Sequence, residues 1–493
     1  MKLTRVLNGI ISLGLVAAVS TLPQLLPEIN LQVGEAPGAI AQNVRPKNLS
    51  LSCPGAAYLF GGKNGTKVNE GERVGEATVN YSADTVNSVL LGMNLLGSNQ
   101  IMTDPSGGFA RTTDVIKSVW PASFTTYDSS NSVKQSAALL AASQSQVLDS
   151  TSANGLLATA CAVPKSQQWI IGAEAITGRD GVLLLVNNTS IDSTISLEVY
   201  TDAGLITEGG LNGISVPKQS SVGIPIATIA PKAPTSAIKI TASGGAVSAW
   251  VQQKTARGTQ VAGADLIPAA IDPSKKLVIP GLLLRGMKDA ANLASDTDYS
   301  DLLPSIDFFV PGDKPATITA QILGSDNQGF GTVINQTLAA GRATRVDITD
   351  LADGNYTIFV DSDQPIQAVA RFSHVNRKVT PNSDFAYLPA VTQTKAVREV
   401  VVPRVQSAAL VLANGAKSTA TVEITDLESG KTQTVKLASF SSKVIKANSG
   451  SVYQVTSNRQ TSATLVIAQG IQVANIALEP YQNLAQKIAV AVR

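Results

Sequence analysis

Few residues in this chain have the type and spacing to perform chemistry. It holds a single histidine, His374, at the end of a predicted strand ending in Arg371-Phe-Ser373. A Ser–His relay through Ser373 is geometrically poor, because neighbours in a strand point to opposite faces. His374 therefore reads as a surface or strand-end histidine. No G-x-S-x-G elbow occurs, and no S-x-x-K stands in a helical context. The densest acidic run is Asp296-Thr-Asp298-Tyr-Ser-Asp301, with Asp307 nearby. It opens like a calcium loop, but Asp301 stands where position six needs glycine and Asp307 where position twelve needs glutamate. A solvated loop is the expectation, and a carboxylate-dependent hydrolase built on this run ranks third among the functions considered. Asp361-Ser-Asp363 reads as a hairpin turn, as do Gly61-Gly62-Lys63-Asn64-Gly65 and Gly209-Gly210, which lack the strand–loop–helix setting of a phosphate cradle. Trp120, Trp169 and Trp250 read as core residues. No catalytic, cofactor-binding or metal-binding residue is assigned.

The two cysteines, Cys53 and Cys161, carry the one covalent expectation. An even pair in an exported chain points to a disulfide. They are too few for a structural zinc site, and His374 gives them no partner for one. A bridge across roughly 108 residues would contribute about 4–5 kcal/mol under a chain-entropy account. Two buried free thiols are the alternative.

The elements that must position these residues begin with the N-terminus. Lys2 and Arg5 precede an uncharged apolar stretch from Val6 to Leu22, the pattern of an export signal. Ala18-Val19-Ser20 offers a cleavage site. The stretch lies at the border between a signal peptide and an uncleaved anchor, since a span needs about 20 apolar residues. A Pro/Gly-containing spacer follows it. The 493-residue chain has a net charge of +2 with no basic or acidic block, so nucleic acid is not an expected partner. Aromatic residues make up only 4%, which argues against aromatic-rich carbohydrate clefts.

The body shows weak internal similarity at a spacing on the order of 100 residues, a domain-sized interval. Gly181-Val-Leu-Leu-Leu-Val-Asn187, Ser305-Ile-Asp-Phe-Phe-Val310 and Ala408-Ala-Leu-Val-Leu-Ala-Asn414 correspond. An alternating strand follows each: Thr194–Tyr200, Ala316–Leu323 and Ser418–Thr425. The units close on Gly245–Val251, Ile366–Phe372 and Thr464–Ala468. Period-two alternation between Gly, Asn and Asp turns predicts half-buried strands. Leu277-Val-Ile-Pro280 and Val400-Val-Val-Pro403 read as junctions, with Cys161-Ala-Val-Pro164 in the corresponding place. Ala137–Ser143 has the composition of a short helix.

These patterns predict an all-β chain of tandem antiparallel immunoglobulin-like β-sandwich modules behind an N-terminal signal or anchor helix. The divisions drawn are 1–26 (signal peptide or anchor), 27–45 (flexible spacer), 46–164, 165–276, 277–397 and 398–493.

Several short motifs also resemble a family of large secreted or membrane-anchored actinobacterial proteins known only as a domain of unknown function. They are Ser52-Cys53-Pro54-Gly55, the stretch from Trp169 to Asn188 with its turn at Gly178, Val247-Ser-Ala249 and Val278-Ile-Pro280-Gly281. The chain departs from the family pattern at Gly263-Ala-Asp265-Leu-Ile-Pro268, which lacks the aromatic expected there. The resemblance implies export and a repeated β-rich architecture, and no chemistry. The functional expectation is a non-catalytic envelope protein, secreted or attached to the plasma membrane only through its N-terminus. It would bind an envelope protein or glycan, with polysaccharide binding as the alternative, and would carry no cofactor.

Overall fold

The computed structural model describes residues 40–44, 48–61, 67–84, 89–97, 100–104, 111–128, 140–150, 152–207, 210–327, 329–376, 382–480 and 486–490. The export segment 1–26 and most of the spacer 27–45 lie outside the described residues. Two units are present. Residues 1–46 and 483–493 form one, in which Ile40–Val44 pairs antiparallel with Gln486–Val490. That pairing gives regular structure to the end of the spacer, expected to have none. Residues 47–482 form the other, a compact body of β-structure.

The compact unit is all-β, as the alternation predicted. The sandwich of residues 167–268 sets the plan. Its first strand (Gln167–Ile171), sixth (Ser236–Gly244), third (Ser193–Thr201) and fourth (Gly204–Leu205 with Ile214–Val216) form one sheet. The fifth (Ser220–Pro225), second (Arg179–Asn187), seventh (Ser248–Arg257) and eighth (Gln260–Pro268) form the other. The second–fifth and third–sixth pairs match the B–E and C–F pairs of immunoglobulin sandwiches. The first strand, however, lies beside the sixth, where an immunoglobulin places its last.

Among the described residues the same order recurs three more times, over 48–160, 274–389 and 398–477. The region from 46 to 164, with little visible similarity to the others in sequence, follows the plan as closely as they do. It inserts a hairpin, Ala57–Gly61 with Lys67–Val74, after its first strand. The sandwich of 274–389 inserts a short helix, Met287–Leu293, and a 3-10 turn, Thr297–Leu302, at the same place.

Several local expectations are corrected. Ala137–Ser143 is not helical where described: Leu140–Asp149 is a seventh strand. Asp361-Ser-Asp363 is not a hairpin turn. It lies inside Gly354–Asn376, a continuous strand whose first half pairs in one sheet and second half in the other. The exposed elbow at 361–365 replaces a turn between the sixth and seventh strands. Leu277-Val-Ile-Pro280 does not end its strand but lies inside a first strand that runs on to Leu284, Val400-Val-Val-Pro403 covers the end of another first strand, and Cys161-Ala-Val-Pro164 instead follows an eighth strand. The division drawn at 276/277 falls inside a first strand that begins at Ser274.

The sandwiches are not beads on a string. Their eighth strands, β1 (Asn154–Ala160), β2 (Gln260–Pro268), β3 (Asn382–Pro389) and β4 (Gln472–Ala477), form a closed cycle: β1 contacts β2, β2 contacts β3, β3 contacts β4, and β4 returns to β1. Around this axis the first-strand edge of each sandwich meets the seventh strand of the next. Gly172 faces Val369, Gly281 faces Val466, and the Ser143 hydroxyl donates to the Val401 carbonyl. At the first-to-second junction the inserted hairpin does this work, with both amide groups of Gln252 paired to the Tyr58 backbone. Head-to-tail contacts of this kind close into a ring when the rotation permits.

Closure explains the unbroken apolar runs. Arg179–Asn187 is buried at nearly every position because odd residues such as Leu183 and Leu185 face their own core, while Val182, Leu184 and Val186 face the first sandwich. A strand covered on both faces has no reason to alternate.

Candidate functional site

The axis is held by one carboxylate. Asp384 on β3 is fully buried and accepts hydrogen bonds from Leu156 N on β1 (3.1 Å), Ala264 N on β2 (3.2 Å) and Val473 N on β4 (3.1 Å). A single side chain thus ties together all four inner strands. Burial pushes its pKa up to about 7 despite the amide donors, which pull it down. The neighbouring strands make room for it: a Cβ on Gly155 or Gly263 would lie 2.8 Å from an Asp384 oxygen, and both glycines adopt positive φ. One level along, the Asp265 carboxylate accepts from Tyr387 N, and Asn475 donates to the Tyr387 carbonyl. Burial raises the Asp265 pKa well above the usual carboxylate range.

Beyond this level two of the inner strands stop at prolines and the other two run into prolines a few residues on. Pro268 and Pro389 form the last pairs of their ladders, while Pro164 and Pro480 follow β1 and β4. Proline has no N–H to extend a ladder, and here the four chains bound an axial pocket of about 300 Å³. Its walls come from all four sandwiches. Leu49, Leu51, Leu140 and a series of alanines supply apolar surface, and Lys165, Gln168, Asp272, Glu399, Asn475 and Glu479 supply polar groups.

Glu479 is the best-defined of these groups. One oxygen accepts from Thr392 N (3.2 Å) and the other from Thr392 Oγ1 (2.5 Å). It is open to solvent but enclosed by protein on most sides, and that enclosure raises its pKa against the Thr392 hydrogen bonds. Gln168 is 95% buried; its Nε2 donates to the Val247 carbonyl, and its Oε1 is left to the pocket. The Asn475 amide likewise spends its NH2 on the Tyr387 carbonyl and leaves its oxygen to the pocket. The pocket thus presents acceptors.

The disulfide lies at the wall of this pocket. Cys53 and Cys161 are bonded, with Cα atoms 4.4 Å apart, and Cys161 is a lining residue. The bridge joins the end of the first strand of its sandwich to the residue after β1.

The acidic run turns out to be structural. Asp296 accepts from Asp298 N and caps the 3-10 turn. Asp301 is neutralised by three guanidinium groups: Arg257 (2.6 Å), Arg179 (2.7 Å) and Arg371 (3.0 Å). Those cations hold its pKa below the usual value although burial raises it. Asp307, fully buried, pairs with Arg345 at 2.8 Å, and Arg345 also reaches Glu174 at 2.8 Å. Glu174 accepts from the Tyr387 hydroxyl at 2.7 Å, linking the network to the axis. These seven charged side chains lock the second sandwich to the third. They come from distant segments, and the only sequence signal was a set of isolated charges within apolar strands.

His374 is buried rather than exposed, and its Nε2 lies 2.9 Å from the Leu283 carbonyl. Burial lowers its pKa to about 4, so the ring is neutral. The Ser373 hydroxyl points to the Asp301 carbonyl. His374 lines a second cavity of about 490 Å³ between the third and fourth sandwiches, walled mainly by small and apolar residues. Of the tryptophans, Trp250 is fully buried and Trp169 packs on Tyr200 and Phe309, but Trp120 is 43% exposed.

Comparison with known families places residues 125–448 in the family of unknown function DUF5719. The match covers most of the chain and spans parts of all four sandwiches, and the chain belongs to this family. No curated protein matches it. No helix among the described residues is long and apolar enough to cross a membrane.

Proposed function

We propose that the chain is a non-catalytic, extracytoplasmic envelope protein whose closed ring binds or organises a cell-surface component at its axial pocket. The observation carrying this reading is that the pocket takes its walls from all four sandwiches and gathers polar groups from the second and fourth. Only the assembled ring creates such a site, and pockets with a few convergent polar groups in apolar walls are the usual form of a binding site. Two further facts support it. The Cys53–Cys161 bridge suits an oxidising compartment. Leu49 and Pro480, close to the two ends of the compact unit, also line the pocket. The Asp301 network leaves that carboxylate occupied by cations, which weakens the hydrolase alternative.

The test combines location with contact. Protease added outside intact cells should degrade the chain, with the disulfide oxidised in cell extracts. A photo-crosslinker placed at Asp272 on the pocket rim should trap an envelope component that one placed on the outer strand Thr432–Leu437 does not. Cytoplasmic residence, or equal crosslinking from both positions, would sink the reading. Surface polysaccharide remains the second candidate for the bound component, favoured by the exposed Trp120 alone. Stacking of a sugar on that ring would shift tryptophan emission, and Trp120→Ala would abolish the shift.

A further inference from the structure

We propose that the axial pocket binds a primary ammonium group carried on a short aliphatic stem. This deepens the reading of the pocket as the binding face and rests on it. Charge comes first: Asp272 and Glu479 line the pocket, with Lys165 as a lining cation. The Lys165 and Arg398 charges act on Glu479 without an ion pair to it among the described residues, so the Glu479 carboxylate has hydrogen-bond partners in Thr392 but no contacting counter-ion. A carboxylate in that condition, enclosed on most sides, attracts a cation and disfavours an anion.

Hydrogen bonding narrows the class. Gln168 and Asn475 line the pocket, both more than nine-tenths buried, with their NH2 groups spent on backbone carbonyls and only their amide oxygens left for a ligand. A ligand that only carries positive charge leaves them unsatisfied, whereas an –NH3⁺ group brings three donors. Quaternary ammonium ligands are normally held by aromatic faces, and no aromatic side chain lines this pocket among the described residues. Size sets the stem. The cavity of about 300 Å³ is at the small end for ligand sites, and its walls of Leu49, Leu51, Leu140 and alanines match methylene groups. Such an ammonium has two sources with the same chemistry, a free alkyl amine or the lysine side chain of a peptide.

Calorimetric titration of the purified full chain, disulfide intact, separates the outcomes. Cadaverine probes the free amine, and N-acetyl-lysine methylamide probes the peptide side chain. A trimethylammonium analogue of the same stem length and acetate serve as controls. Saturable heat with either primary amine, at least several-fold weaker for the trimethyl analogue and absent for acetate, is the expected result, and the tighter primary amine identifies the source. Glu479→Gln should weaken binding about tenfold or more, the loss of a charge-assisted hydrogen bond. It retains an acceptor for Thr392, and an unchanged melting temperature shows that the fold persists. Thr392→Val, which keeps the carboxylate, should weaken binding less than Glu479→Gln. No saturation by either amine, equal binding of the trimethyl analogue, or full affinity in Glu479→Gln overturns the proposal. Because the titration needs no cell, its failure beside persistent rim crosslinking removes only the ligand class. Amine binding by a chain found in the cytoplasm removes only the envelope role.

Discussion

The second-to-third and third-to-fourth junctions join the same two edges of the repeated sandwich by opposite means. At the first, four arginines and three carboxylates are buried together, with Arg371 laid over the Phe385 ring at 4.5 Å. At the second, Val278, Phe359 and Ala413 form an apolar cluster flanked by Phe440, helped by a Ser325–Ser442 hydroxyl pair at 2.8 Å. No ion pair crosses the second junction among the described residues. Buried charges tolerate few arrangements, because every misplaced partner leaves an uncompensated charge. Apolar surfaces accept small shifts at little cost. We take the charged junction as the one that specifies how neighbouring sandwiches meet, and the apolar junction as one that follows.

Four experiments can break or sharpen this contrast. Asp301→Ala strands three guanidinium groups and should cost about 3–5 kcal/mol, measured by denaturant unfolding. A loss under about 1 kcal/mol would mean that the charges specify nothing. Asp384→Ala orphans three buried N–H groups at about 1–3 kcal/mol each, offset by relief of a buried carboxyl, for a net loss of about 3 kcal/mol. It should loosen all four junctions together, so hydrogen exchange should quicken at Leu156, Ala264 and Val473 alike. Faster exchange at one strand only would contradict the hub.

The third experiment uses pH. The Asp384 pKa is raised to about 7, so its contribution is complete below about 4 and is lost as pH rises towards 7. The His374 pKa is lowered to about 4, so its contribution is complete above about 6.5 and is lost as pH falls towards 4. Asp265 adds to the Asp384 trend. Between pH 5 and 6.5, Asp384→Asn should therefore shift the stability difference towards neutral pH by about 1–2 kcal/mol, and His374→Gln should shift it towards acid by a similar amount. Parallel curves for wild type and both variants would refute the assignment. Smallest of all, Phe440→Ala at the apolar junction should cost about 1 kcal/mol for a half-buried ring. A cost matching that of Asp301→Ala would erase the distinction between the junctions.

The strands were legible because their physics is local. Ser193–Thr201 alternates between buried and exposed positions, and that pattern stands in the residues themselves. The ring was not legible, because the residues that close it act at long range and look ordinary nearby. Asp384 stands in Asn382-Ser-Asp-Phe-Ala-Tyr-Leu-Pro389, where one acid within an apolar strand was the available clue. Prolines recur at or after the ends of all four inner strands, at Pro164, Pro268, Pro389 and Pro480, but only the structure shows that the last three line one pocket. The Asp296–Asp301 run misled in the other direction. Its density suggested a site, while partners for Asp301 lay at Arg179, Arg257 and Arg371 in three other strands. Glu479 and Gln168 drew no notice, since nothing local distinguishes a pocket acceptor from a surface one.

The Asp384 hub also sets an order in time. Its carboxylate reaches back 228 residues to Leu156 and forward 89 to Val473. Each sandwich has its own apolar core and is able to collapse as it is synthesised. The first one, however, waits with β1 unpartnered on its outer side until the fourth is complete. Contacts of such separation form slowly. During that interval the outer side of β1 stays exposed, and the sequence must keep it from pairing with an edge of another molecule.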